Sequence, residues 1–374
     1  MPRPVSVTRI LVLLGLLVAA ACRSGGGPDA AARPADGEPA PERPADETRW
    51  TWTAPAPSWT GMPGADDRDV AVTYGHHALV LLDAAGHERW QAARLGLRDV
   101  APRLAGDLVV AATDDGLAAF RRPDGSVVWD TPLAGRTSTP VVVGGLAVTS
   151  TWEGQLVAVD GARGTVAWRV ALPGPALGPP ATDGDVVIVS WDRSGDRAGG
   201  VVAVESSTGR QRWAVALPGG GVSAPAVTPD GAAVVVAGDL SARALDLRSG
   251  EQRWRTEVEG AGAPEVPPAA VDERSVLVAQ RLGGLDLLDS GRGRREWHLA
   301  TDGAAVRGGP VVGPGRRFAF PLDDGRLVVA GPGRETEFRR TPSRISGLVA
   351  GPGGLLVAAS RGAPVNTVQA TPDW

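Results

Sequence analysis

From about residue 60 onward the chain is built of short apolar runs separated by turn residues. Pro140-Val141-Val142-Val143 and Leu146-Ala147-Val148-Thr149 are two such runs, with Gly144-Gly145 between them. Asp114-Asp115-Gly116 and Asp323-Asp324-Gly325 also fall between β-rich runs. Paired glycines and Asp-Gly steps supply the positive φ of a tight hairpin, so these stretches predict antiparallel strands. Gly and Pro interrupt every window, and no 3.6-residue apolar period survives. The expectation is an all-β chain.

One phrase then recurs in register. Ala158-Val159-Asp160 leads to Gly164 and Trp168, and Ala203-Val204-Glu205 to Gly209 and Trp213. Ala244-Leu245-Asp246 leads to Gly250 and Trp254, and Leu287-Leu288-Asp289 to Gly293 and Trp297. Leu81-Leu82-Asp83, Gly86 and Trp90 are the same phrase one residue shorter. Ala119-Phe120-Arg121, Gly125 and Trp129 keep the spacing with Arg in place of the acid. Each reads as strand, turn, strand: the acid accepts turn N–H groups, Gly supplies positive φ, and Trp opens the next strand.

The tryptophans at 90, 129, 168, 213, 254 and 297 are 39, 39, 45, 41 and 43 residues apart. A period near 40 means one copied supersecondary unit, and four strands per unit is the layout of a β-propeller blade. Extending the interval reaches Phe338 forwards, which can take the tryptophan's place, and Trp50 backwards. Seven units then fill residues 60–340, and residues 344–374 lack the last strand of another. Arg49 to Thr53 (RWTWT) can supply it, which closes the ring and removes two free edges. Eight blades are therefore favoured, with seven as the alternative. The long interval traces to Trp191–Gly200, read as an extended hairpin loop projecting from one face.

Composition changes this picture little. The basic residues are all arginine, which reflects base composition of the genome more than any site. The formal charge is −4 with both signs dispersed, and no basic stripe suits a phosphate backbone, so nucleic acid is not expected as a partner. The single cysteine, Cys22, excludes an intrachain disulfide.

Before Cys22, Arg3 and Arg9 precede the apolar run Ile10–Ala20, and Ala19-Ala20-Ala21 leads into the thiol. The arrangement resembles a bacterial lipoprotein signal with its lipobox, although Ala19 stands where Leu is usual. The resemblance implies cleavage after residue 21, lipidation of Cys22 and a membrane-held, extracytoplasmic protein. Residues 23–48 are rich in Pro, Ala, Gly and acid, with too little apolar surface to offset chain entropy, and read as a tether. The domain expectation is thus signal 1–21, lipidated tether 22–48 and propeller 49–374.

The Ala-Val-Asp…Gly…Trp phrase, preceded by a Pro-Val-Val strand, resembles the PQQ-type (quinoprotein-like) propeller repeat over about residues 60–340. That likeness implies that Trp90, Trp129, Trp168, Trp213, Trp254 and Trp297 dock neighbouring blades. The family's dehydrogenases hold PQQ and Ca²⁺ in the channel, many beside adjacent cysteines. This chain has no cysteine pair and only one asparagine, Asn366, so no cofactor is expected. In anchoring and architecture it is similar to the BamB lipoprotein family.

Other chemistry is sparse. His76-His77 reads as a solvated turn. Asp66, Asp67 and Asp69 read as an exposed acidic linker, and Asp192 and Asp196 as part of the long hairpin, in preference to metal ligation. No nucleophile elbow, phosphate loop or HExxH motif occurs. The leading expectation is a monomeric, non-catalytic scaffold that binds a protein or cell-envelope component. The alternatives are a sensor or small-ligand binder using the channel, and a divergent quinoprotein or propeller lyase.

Overall fold

The computed structural model describes residues 48–371 except 56–57, 177, 194, 221, 259–265, 281–283, 341–343 and 362–366. The signal segment, Cys22, the tether up to residue 47 and Asn366 lie outside the described residues.

Eight antiparallel sheets of four strands form the structure, so the eight-bladed expectation holds over the seven-bladed one. Blade 1 consists of Gly64–Ala65, Asp69–Tyr74, Ala78–Asp83 and Glu88–Ala93, here called strands a to d. Blades 2 to 7 repeat this order over residues 103–132, 141–171, 181–217, 226–257, 269–300 and 311–340. Blade 8 takes Arg344–Ala350, Leu356–Arg361 and Thr367–Thr371 from one end of the chain and Trp50–Thr53 from the other. The closing strand is antiparallel, with Trp50 opposite Ala370 and Thr53 opposite Thr367. Each strand a approaches strand a of both neighbouring blades, round to Gly64–Ala65 beside Arg344–Ala350. These innermost strands surround the channel.

The middle strands are buried on both faces, which is why they read as unbroken apolar runs instead of alternating ones. The outer strands alternate, as in Glu88–Ala93, where Trp90 and Ala92 are buried and their neighbours exposed. Apolar packing therefore lies in layers between blades. Ala71, Leu79 and Leu81 of blade 1 meet Val109, Ala111 and Phe120 of blade 2. Val70, Val72 and Val80 meet Val357, Val368 and Ala370 of blade 8.

In blades 1 to 6 the pairing of strands c and d shifts by one residue beside the turn. The tryptophan lies opposite the residue two before the turn acid or its equivalent, as Trp297 lies opposite Leu287, and packs toward the next blade. Blade 7 lacks both the phrase and the shift. There Phe338 lies opposite Val328, and Glu337 opposite Val329. Val328 and Phe338 pack with blade 6, whereas Val329 packs with blade 8. Phe338 therefore does not take the tryptophan's place; Glu337 does. The interval misplaces the side chain by one residue, and one residue along a strand is the opposite face.

Two further expectations are corrected. The extra residues of Trp191–Gly200 lengthen strands Val186–Arg193 and Ala198–Glu205, with Arg193 opposite Ala198, and do not form a large projecting loop. Asp69 is no exposed linker residue. It opens strand b of blade 1 with 2% exposure, ion-paired to Arg89 and Arg122.

Candidate docking face

In an antiparallel blade the a–b and c–d turns emerge on one face of the ring, and the b–c turns and blade-to-blade connections on the other. The sequence phrase falls on the first face. The carboxylate of Asp83 accepts the N–H groups of Ala85 and His87 at 2.8 and 2.9 Å. Asp160 accepts Ala162 and Arg163, Asp246 accepts Arg248 and Ser249, and Asp289 accepts Arg292. For Asp160 the Arg163 N–H, the largest influence, holds the pKa below the usual carboxylate value. For Asp83 burial pushes upward, and the N–H bonds from His87 and Ala85 outweigh it. Asp246, bonded first of all to the Arg253 side chain, is lowered to about 2. Arg121 holds no such turn; Asp124 accepts Ser126 instead.

The glycines of these turns have φ of 81° (Gly86), 72° (Gly125), 71° (Gly164), 69° (Gly209), 76° (Gly250) and 69° (Gly293). They are needed for a second reason. A Cβ at Gly125, Gly164, Gly209, Gly250 or Gly293 would come within 2.8 Å of Trp90, Trp129, Trp168, Trp213 or Trp254 of the preceding blade. Each indole N–H also crosses the seam. Trp90 donates to the Arg122 carbonyl, Trp129 to Gly161, Trp168 to Ser206, Trp213 to Leu247 and Trp254 to Ser290, at 2.6–3.0 Å. Trp50 makes the same joint with Ala84 and Gly86 across the ring closure. Trp297 has no such glycine and rests 5.9 Å from the Phe318 ring.

The other face carries the exposed apolar surface. Among the described residues six large apolar side chains are exposed, and four of them lie on its loops: Trp59, Leu95, Trp152 and Leu240. Leu95 is 81% exposed and Trp152 59%. Trp59 meets His76 edge to face at 5.2 Å, and His76 Nδ1 lies 3.0 Å from the Leu97 carbonyl. Leu240 holds φ of +60°, a conformation unfavourable for a branched side chain, and its carbonyl accepts the Val258 N–H.

Charges surround these groups. Arg94 is tied to Asp130 at 2.9 Å and Asp115 at 3.1 Å, and the Asp130 bond chiefly raises its pKa. Arg98 is pushed down by burial and by Arg136 beside it. Tryptophan is among the residues enriched at the centres of protein interfaces. His76 and His77 are exposed in the turn where the sequence places them, whereas Leu240 is not legible as a surface group because turn tips have no periodicity.

Blade 6 also contains a polar cluster. Buried Asp286 accepts Gln280 Nε2 at 2.6 Å and lies 2.8 Å from His298 Nδ1. Among the described residues no three His, Cys, Asp or Glu side chains converge as metal ligands, and no helix is long and apolar enough to cross a membrane.

Eight blades, seven of their eight seams holding a tryptophan, with exposed apolar side chains on the loops of one face, define a PQQ-like β-propeller. The family described as outer membrane protein assembly factor BamB matches the chain over residues 40–132, 114–196 and 191–371. The chain belongs to that family. BamB of Yersinia pestis is 30% identical over 230 residues, 56% of this chain and 57% of the relative. BamB of Nitrosomonas eutropha is 34% identical over 92 residues, 24% of this chain and 22% of the relative. The matched part thus spans less than two thirds of either relative's length. The solved BamB structure from Moraxella catarrhalis superposes with a TM-score of 0.70 at 15% identity, covering 86% of this chain and 99% of that one. The C-terminal WD40 domain of Sif2 gives 0.66 at 12% identity, covering 84% and 95%. These structural likenesses concern the fold.

Proposed function

We propose that this chain is a non-catalytic scaffold in outer-membrane protein assembly, which binds a protein partner through the face bearing Trp59, Leu95, Trp152 and Leu240. The observation that carries this reading is the gathering of exposed apolar side chains on the loops of one face, while the opposite face is occupied by the repeated turns. Membership in a family described as an assembly factor supports the class of partner. Lipidation at Cys22 holds the ring at the membrane on its extracytoplasmic side, and the tether gives it reach. Docking requires surface complementarity only, so no PQQ or other cofactor takes part.

Photo-crosslinking in the native host tests the reading. A photoreactive residue at position 95 or 152 should give adducts with an outer-membrane assembly protein. The same residue at exposed Val127, on the outer strand of blade 2, should not. Equal adducts from all three positions would remove the face assignment. Cys22→Ser should release the protein from the membrane fraction, and PQQ with Ca²⁺ should leave the Tm unchanged.

A further inference from the structure

The innermost strands hold one cation that the ring leaves uncompensated. Arg103 opens strand a of blade 2 and lies opposite Val110 of strand b. At the same register the other seven blades carry only glycine, alanine or valine, from Gly64 in blade 1 to Val349 in blade 8. Arg103 Nε donates to the Pro140 carbonyl at 3.1 Å, so the side chain reaches toward blade 3. Among the described residues its two terminal nitrogens have no partner, and no carboxylate pairs with it. Its exposed part faces the channel, because the strand is innermost. Protein still surrounds the side chain closely enough that burial lowers its pKa, with no carboxylate to oppose the effect.

Val142 lies across the same seam, on the neighbouring innermost strand. Val141 and Val143 pack between blades 3 and 4, so the alternate residue Val142 turns to blade 2. It is 37% exposed, which leaves bare apolar surface on the channel wall. A guanidinium fork without an anion thus stands beside an apolar wall, where an ionic contact is stronger than in open water. A ligand that satisfies both groups carries a planar carboxylate for the fork and an apolar body for the wall. We propose that the channel at the seam of blades 2 and 3 binds a small carboxylate with an apolar body, held by Arg103 and Val142. The site is apart from the loops that bear Leu95 and Trp152, so it stands or falls separately from the proposed function.

Isothermal titration of the full chain with hexanoate, hexanol, hexylammonium and acetate tests it. Hexanoate should bind at least about tenfold more tightly than hexanol, which lacks the charge, or acetate, which lacks the methylenes; hexylammonium should not bind. Hexanol or acetate equal to hexanoate overturns the ligand assignment. Arg103→Ala installs the residue that blades 4 to 6 carry at this register, Ala181, Ala226 and Ala269. It should weaken hexanoate about tenfold or more without lowering the Tm, because no ion pair is lost. Arg103→Gln should weaken it equally and keeps the proposal testable should Arg103→Ala fail to fold. Val142→Ser should weaken hexanoate severalfold and leave acetate unchanged. Hexanoate affinity unchanged in either Arg103 variant overturns the proposal, as does the absence of measurable binding at about 10 mM hexanoate.

Discussion

Trp50 and Gly86 meet across the closure of the ring. A Cβ on Gly86 would lie 2.5 Å from Cδ2 of the indole, and the indole N–H donates to the Ala84 carbonyl at 3.0 Å. The strand that carries Trp50 is the last of blade 8, and the turn that carries Gly86 belongs to blade 1. A contact across 36 residues of sequence thus performs at the closure what Trp90 and Gly125 perform between consecutive blades.

Trp50→Ala should lower stability by about 2–3 kcal/mol, below the roughly 3–5 expected for a fully buried tryptophan, because Trp50 is half-buried. Trp152→Ala, on the exposed loop of blade 3, should stay within about 0.5 kcal/mol of wild type. Urea unfolding of both variants makes the comparison. If both midpoints stay at the wild-type value, the closure does not depend on this joint.

Gly164 and Gly144 both hold positive φ, 71° and 56°. A Cβ on Gly144 meets nothing within 4 Å, whereas one on Gly164 would meet the Trp129 Cβ at 2.5 Å. Gly144→Ala therefore carries only the left-handed backbone cost of about 1–2 kcal/mol. Gly164→Ala adds displacement of an indole bonded to Gly161 and should cost at least about 1–2 kcal/mol more, as overpacking does. Thermal melts of the two variants should separate clearly; coincident melts would show that the joint yields without loss.

Much of the ring is legible in the chain because its rule is local. Acid, glycine and tryptophan at fixed spacing specify turn, positive φ and seam contact together, and Trp50 was reachable by the same interval. The exceptions arise where interval and register part. Phe338 falls on the right count but one residue off the right face, and only strand pairing shows it. Asp69 follows Asp66 and Asp67 in a run that reads as solvated, yet its partner Arg122 comes from the neighbouring blade, 53 positions away. The exposed apolar face is less legible still. Leu95, Trp152 and Leu240 sit in connections whose exposure depends on how the blades stack, and stacking leaves no periodic mark.

The Asp69–Arg122 pair is expected to be costly to break. Arg122 Nε donates to Asp69 at 2.7 Å and Nη2 to Asp66 at 2.8 Å, with 8% and 2% of the Arg122 and Asp69 side chains exposed. Those carboxylates raise the Arg122 pKa against the opposing effect of burial. Arg122→Met leaves a buried carboxylate with Arg89 alone and should cost about 3 kcal/mol. Asp69→Leu in the same chain should recover part of that loss. A double variant no better than the single one would mean that the charges were not the source of the cost.

Asp246 gives the chain a specific acid dependence. Its carboxylate accepts Arg253 Nη2 at 2.7 Å and the N–H groups of Arg248 and Ser249 at 3.0 Å, and its pKa falls to about 2. In the unfolded chain the same group titrates near 3.9. Between those values the unfolded state binds the extra proton, so stability falls as pH drops from about 4 toward 2, and the contribution is complete above about pH 4. Arg253→Gln removes the largest lowering influence and moves the folded pKa back toward its ordinary value. The variant should be less stable than wild type at pH 7, lose less between pH 4 and 2, and approach wild type near pH 2. Urea midpoints recorded across that range at constant ionic strength would show the two curves converging; parallel curves would show that Arg253 contributes packing and not charge.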